Sequence, residues 1–297
     1  MGDSKAGDRI RVDLPLPEGP ATTIILGIIN RRNRDPYLPA YRREDPSEFG
    51  ETPQNAIDLR LEKLAPIHAA LAARHFTNRL GQALEIAVFK ALKSQALPFF
   101  GNFVDLDAHG DDEPYIREDP PSSISGNAIP GKKTVDFILI HPSAGPAAIK
   151  VKNVREWLYP DREEILELLL KSCSLRAIPV LVARRIPYVT FSELHSCGVI
   201  LHQTYNQLYP NADRELAAKA SHKDLLGFHD IRVGNDPDGR LLSFIHTNLP
   251  ALLPESRARF DASLDLLTPY AERRITRADF IKELRLRRGE PDRTELN

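Results

Sequence analysis

The chain has 297 residues, enough for one large domain or two smaller ones, and a hydrophobic fraction of 42% supplies a core. Its 40 basic residues stand against 41 acidic ones, for a net charge of −1, which excludes a global polycation, so any binding to nucleic acid has to come from local patches. Two cysteines, Cys173 and Cys197, leave no disulfide framework and read as buried thiols on two core helices, in a reducing compartment.

Residues 1–73 read as an N-terminal arm and helical segment. A polar lead is followed by one apolar run, residues 22–29, far short of the ~20 residues of a membrane span. With no leader series either, a soluble, cytoplasmic protein without a membrane partner is expected. The stretch NRRNRDPYLPAYRREDP then interleaves Arg31, Arg32, Arg34, Arg42 and Arg43 with Tyr37 and Tyr41. It reads either as a phosphate-and-stacking surface or as an arm packed on the core. Residues 55–73 read as a helix, with Pro66 marking a bend or a break.

Residues 74–210 read as the core. RHFTNRLGQALEIAVFKALKSQ is a helical pattern whose Leu80, Leu84, Val88 and Leu92 line one side, with Glu85 set in the apolar patch. Residues 106–133, rich in Pro, Gly and Ser, are too polar for a buried element. Their acids Asp107, Asp111, Asp112 and Glu113, with His109, lack the spacing of a calcium loop and read as solvated.

The stretch KKTVDFILIHPSAGPAAIKVKN then gives two apolar strands joined by a Pro/Gly turn. Asp136 interrupts the first strand. Lys150 and Lys152, at i and i+2 in the second, share a face near Asp136 across the pair. An amphipathic helix over residues 159–173, the strand AIPVLVARRI, a short helix over residues 190–197 and the strand GVILHQ follow.

This order of elements (helix with Glu, strand, strand with Asp, strand with Lys, helix, strand, helix, strand), together with the spacing of Asp136, Lys150 and Lys152, resembles the PD-(D/E)xK nuclease superfamily. The resemblance covers about half of the chain. It implies an α/β restriction-endonuclease-like core, a mixed central sheet flanked by helices, with N-terminal and C-terminal extensions. In function it implies a hydrolase, a metal-dependent nucleic-acid phosphodiesterase, most simply a DNA endonuclease using Mg²⁺ or Mn²⁺. Asp136 and Glu85 would then be the metal ligands and Lys152 the group that positions the attacking water. Lys150, with Lys152, would complete the catalytic group, and these lysines with Arg184, Arg185, Arg31 and Arg32 would hold nucleic acid.

Lys150 departs from the family pattern, which has Asp or Glu at that position. An ammonium there faces any divalent ion with a repulsion of about 4 kcal/mol per unit of metal charge at ~4 Å and an effective dielectric near ~20. Metal occupancy is therefore expected to be weak. Three readings stay open: a site turned into a phosphate-binding surface, a residue changed to trap an inactive form, or an acid relocated to Glu163, Glu164 or Glu167 on the next helix. The alternative to an enzyme is a non-catalytic nucleic-acid-binding or assembly protein built on the same fold, with a homodimer or larger assembly left open.

Residues 211–297 read as a C-terminal extension: strand, turn and strand over residues 226–245, then helices over residues 255–267 and 276–288, the last with a basic outer face. No zinc spacing, phosphate-cradling glycine loop or nucleophile elbow is present.

Overall fold

The computed structural model describes residues 9–14, 22–28, 54–108, 110–131, 134–223 and 225–290. The chain forms two compact units, one of Met1–Asn78 with Arg214–His229 and one of Arg79–Asp213 with Asp230–Asn297. The segment 211–297, read from sequence as one extension, contributes to both.

The chain begins with an antiparallel pair, β1 (Arg9–Leu14) and β2 (Thr22–Ile28), whose register shifts between Ile10 and Arg11. Helix α1 (Gln54–Ala72) follows and runs through Pro66 without a break. Helix α2 (Arg74–Lys93) is amphipathic in its first half. From Ala83 to Leu92 nearly every residue is buried, Glu85 and Lys90 excepted, because this half crosses the central sheet.

Two short strands, β3 (Phe99–Phe100) and β4 (Asn102–Phe103), flank Gly101. At φ +100° Gly101 passes so close to Asp136 that a Cβ would meet its carbonyl oxygen at 2.6 Å, so only glycine fits. The polar stretch after it is better ordered than its composition suggests. It contains β5 (Arg117–Glu118), paired with β4, and the small ladder of β6 (Ser123–Ile124) with β7 (Asn127–Ala128).

The hairpin is β8 (Phe137–His141) and β9 (Gly145–Lys152), antiparallel as the alternation predicts. His141 closes it by accepting the backbone N–H groups of Ser143 at 3.3 Å and Ala144 at 3.2 Å, and Gly145 takes φ +73°. Helix α3 (Glu163–Leu175), strand β10 (Ile178–Ala183), helix α4 (Tyr188–His195) and strand β11 (Ile200–Gln203) complete the core.

These strands form a five-stranded mixed sheet in the order β11-β10-β9-β8-β3, with β9, β10 and β11 parallel. All six residues of β10 are buried, and they divide between the faces. Val180 and Val182 join Ile149, Val151 and α2 on one side. Leu181 and Ala183 join α3, α4 and the C-terminal helices on the other. The molecule is thus mixed α/β, a central sheet covered by helices on both faces.

The strand β12 (Gln207–Tyr209) and the helix α5 (Arg214–Ser221) come next, α5 packing on α1. The hairpin expected over residues 226–245 does not form. Instead β13 (Ile231–Val233) pairs in parallel with β12, and the second half is helical: α6 (Gly239–Ser243), then a π-turn over Phe244–Asn248. Asp238, which read as part of a turn, caps α6 by accepting the N–H of Leu241 at 2.9 Å.

Helices α7 (Leu249–Ala271) and α8 (Arg277–Arg287) end the described chain. Thr276 and Asp279 form a capping box at α8, and its Phe280 stacks on Tyr270 at 4.3 Å. The basic face of α8 is turned to acids of the same unit: Arg277 to Glu193 at 2.6 Å, and Arg287 to Asp265 at 2.7 Å. Cys173 lies in α3 and Cys197 just after α4, both buried and unbridged. Burial pushes the Cys173 thiol up to about 11. No helix among the described residues is long and apolar enough to cross a membrane.

Candidate functional site

Asp136 lies one residue before β8 and is fully buried. Its N–H donates to the carbonyl of Ile149 at 3.1 Å, which sets the carboxylate beside β9. Oδ2 accepts the backbone N–H of Val151 at 2.7 Å, and Oδ1 accepts Lys150 Nζ at 2.8 Å. The pairing of Asp136 with Lys150 follows from the strand register.

Oδ1 also accepts Arg117 Nη1 at 3.0 Å, and the same nitrogen donates to Glu85 Oε2 at 3.1 Å. Glu85 and Asp136, 51 residues apart in sequence, therefore lie within two hydrogen-bond lengths of each other. The rest of the Arg117 fork is held by Asp119, whose Oδ1 accepts Nε at 2.9 Å and Nη2 at 2.6 Å. An arginine from β5 thus fills the space between the two acids that the sequence offers as metal ligands.

The loop that delivers Arg117 is pinned at several points. Gln82, one helical turn before Glu85, donates to the carbonyl of Tyr115 and accepts its N–H, both at 2.8 Å. Asp105 accepts the N–H of Ile116 at 2.8 Å. Asp111, read from sequence as one of several solvated acids, is buried at φ +69°. Its carboxylate accepts from Tyr115 Oη at 2.6 Å, Asn235 Nδ2 at 2.7 Å, Asn211 Nδ2 at 2.8 Å and the Asn211 N–H at 3.0 Å. Burial alone would raise the Asp111 pKa, but these donors outweigh it and hold the carboxyl below its ordinary value. Asp107, Asp112 and Glu113 are exposed, and His109 lies outside the described residues.

Electrostatically the cluster is short of one positive charge. Burial, and then the charge of Asp136, push the Glu85 carboxyl up to about 7, against the opposing pull of Arg117 and Lys150. Burial works against the Arg117 cation too, but Glu85 and Asp136 outweigh it and its proton is held more tightly than usual. With Glu85 protonated, Asp136 and Asp119 balance Arg117 and Lys150.

Lys152 shares the face of Lys150, opposite the buried Ile149 and Val151. Its ammonium makes no hydrogen bond or ion pair with any described residue. Arg184 and Arg185 have different surroundings. Arg184 is 4% exposed and is spent inside the fold on Asp230, the carbonyl of Arg155 and the carbonyl of Val154, so it is a strut between loops and not a surface cation. Arg185 is half-buried and lies over the ring of Trp157 at 5.6 Å. Arg31 and Arg32 lie outside the described residues. Glu163, Glu164 and Glu167 are engaged with Arg273, Arg162 and Lys171.

Among the described residues no group of three or more His, Cys, Asp or Glu is arranged to hold a metal ion. The donor set at Asp136 does not fit Mg²⁺ or Mn²⁺. Both oxygens already accept hydrogen bonds, two of them from cations, so an incoming divalent ion would meet Arg117 and Lys150 at contact distance.

Arg117 was missed by sequence reasoning because it sits in a Pro-rich polar stretch without periodicity. A charge argument points toward it: two acids set among apolar residues, Glu85 and Asp136, call for cations nearby. No protein-family model matches the chain, and no curated protein or solved structure does.

Proposed function

We propose that the chain is a non-catalytic nucleic-acid-binding protein built on a restriction-endonuclease-like core, in which Arg117 and Lys150 take the place that a divalent ion holds in PD-(D/E)xK nucleases. The observation that carries this reading is the double engagement of Asp136 Oδ1, with Arg117 at 3.0 Å and Lys150 at 2.8 Å. In the nucleases that the chain resembles, a metal polarises the scissile phosphate and supplies an activated water. Protein cations give a phosphate its counter-charge but supply no metal-activated water. Lys152, the lysine of the pair without an acid partner among the described residues, is the group available to a phosphate at this end of β9. Arg184 drops out of the proposed contact set, while Arg185 stays in it.

The test is a gel shift and a cleavage assay on the same labelled DNA, single-stranded and duplex, with Mg²⁺ or with a chelator. Binding that weakens with salt, survives the chelator and leaves the DNA intact supports the reading. Mg²⁺-dependent cleavage that disappears in Asp136→Ala would contradict it and restore the enzyme.

A further inference from the structure

The parallel strands β9, β10 and β11 end in register, Lys152 beside Ala183 beside Gln203. The segments leaving these three carboxyl ends carry four of the large hydrophobic side chains that are exposed among the described residues, and all four are aromatic. Trp157 and Tyr159 follow β9, Tyr188 follows β10, and Tyr205 follows β11.

Two of these rings already have a guanidinium on one face, Arg185 over Trp157 at 5.6 Å and Arg240 over Tyr205 at 5.2 Å. Tyr205 is held at φ +66°, an uncommon conformation for so large a residue, with its N–H donating to the carbonyl of Arg184 at 3.0 Å. The backbone therefore accepts some strain while the Tyr205 ring stays in solvent. Lys152 and Arg240 have no acid partner among the described residues, and Arg185 comes no nearer to one than 4.0 Å, at Asp230.

We infer that this edge is a stacking surface for single-stranded nucleic acid, with Trp157 and Tyr205 as base platforms and Lys152, Arg185 and Arg240 as phosphate contacts. The inference deepens the nucleic-acid reading and rests on it. Open aromatic faces suit unstacked bases, which a single strand offers and a duplex does not. Three cations, with Glu156 next to Trp157 opposing them, are too few to hold a duplex by its backbone alone. They set a shallow salt slope instead, about −2 in log affinity against log salt for a single strand.

Trp157 is the sole tryptophan of the chain, so intrinsic fluorescence reports on this surface directly. The experiment titrates the full chain with an oligothymidylate of ~12 nucleotides and with a duplex of equal length. The single strand is expected to quench Trp157 saturably and to bind at least about tenfold more tightly than the duplex. Trp157→Ala and Tyr205→Ala, read by anisotropy of an end-labelled strand, should each weaken binding about tenfold or more, as loss of one stacked base implies. Both residues are about half exposed, at 45% and 49%, and circular dichroism checks that the variants fold. Duplex binding as tight as single-strand binding, without quenching, would overturn the stacking surface and leave the nucleic-acid reading standing. Failure of both nucleic acids to bind at low salt would overturn both.

Discussion

Arg117 Nη1 donates to Asp136 Oδ1 across 3.0 Å, so a loop-borne guanidinium is fixed against a carboxylate that has no access to solvent. That nitrogen also reaches Glu85, and Lys150 approaches the same Asp136 oxygen. The contact locks the polar loop to the sheet and to α2 at once, and it determines what the acids can bind.

Removing the guanidinium leaves two buried or half-buried acids with Lys150 as their one cation. Arg117→Ala is expected to cost about 3–5 kcal/mol of stability, the usual price of breaking a buried ion pair from one side. Arg117→Lys should recover only part of this, because an ammonium cannot reach Glu85, Asp136 and Asp119 together. Urea denaturation measures both, and a loss under about 1 kcal/mol for Arg117→Ala would show the contact to be incidental.

The raised carboxyl of Glu85 gives a pH dependence with a definite sign. Its folded pKa of about 7 lies above the ordinary value of 4.5, so the folded state binds the extra proton. The contribution of Glu85 is therefore fully present below about pH 4.5 and is lost as pH rises through about 7. The loss is on the order of 3 kcal/mol. Glu85→Gln, which mimics the protonated form, should flatten this fall. Denaturation midpoints of the two proteins across that window, read as a difference, test it. Parallel curves would mean that Glu85 titrates normally.

The hairpin and the element order were legible in the sequence because they rest on local rules. Alternation of apolar residues sets β8 and β9, Pro142, Ser143 and Gly145 set their turn, and i, i+2 parity puts Lys150 and Lys152 on one face. The pairing of Asp136 with Lys150 followed from the same register. Arg117 was not legible. Its position depends on Gln82 and on the partners of Asp111, drawn from as far away as Asn211 and Asn235, and no periodicity in the loop encodes these. Residues 226–245 failed for a related reason. The run Asp236, Pro237, Asp238, Gly239 suits a hairpin turn and a helix cap equally well, and a parallel partner in β12 decided between them.

Asp111 should matter for the loop that carries Arg117. Asp111→Ala removes the acceptor for four hydrogen bonds and puts alanine at φ +69°. A loss of about 3 kcal/mol is expected, with the buried donors left unmatched. Hydrogen exchange of the amides of Tyr115 and Ile116 should speed up before the central sheet opens. Unchanged protection at these amides would contradict the pinning role.

The site can be converted toward metal binding only if both cations leave. Lys150→Glu alone keeps Arg117 between Glu85 and Asp136 and is expected to remain without a divalent site. Arg117→Ala with Lys150→Glu places three carboxylates together and should gain one, seen as terbium luminescence or retained Mn²⁺. Adding Asp136→Ala should abolish the gain, since the ligands act as a unit. A metal site already formed in Lys150→Glu would show that Arg117 yields to an ion.

The most direct test of the central claim is Mn²⁺ binding to the unaltered chain, followed by electron paramagnetic resonance of the free ion. With Arg117 and Lys150 occupying Asp136, the account predicts no saturable site up to millimolar Mn²⁺. A single site of micromolar affinity that vanishes in Asp136→Ala would contradict it.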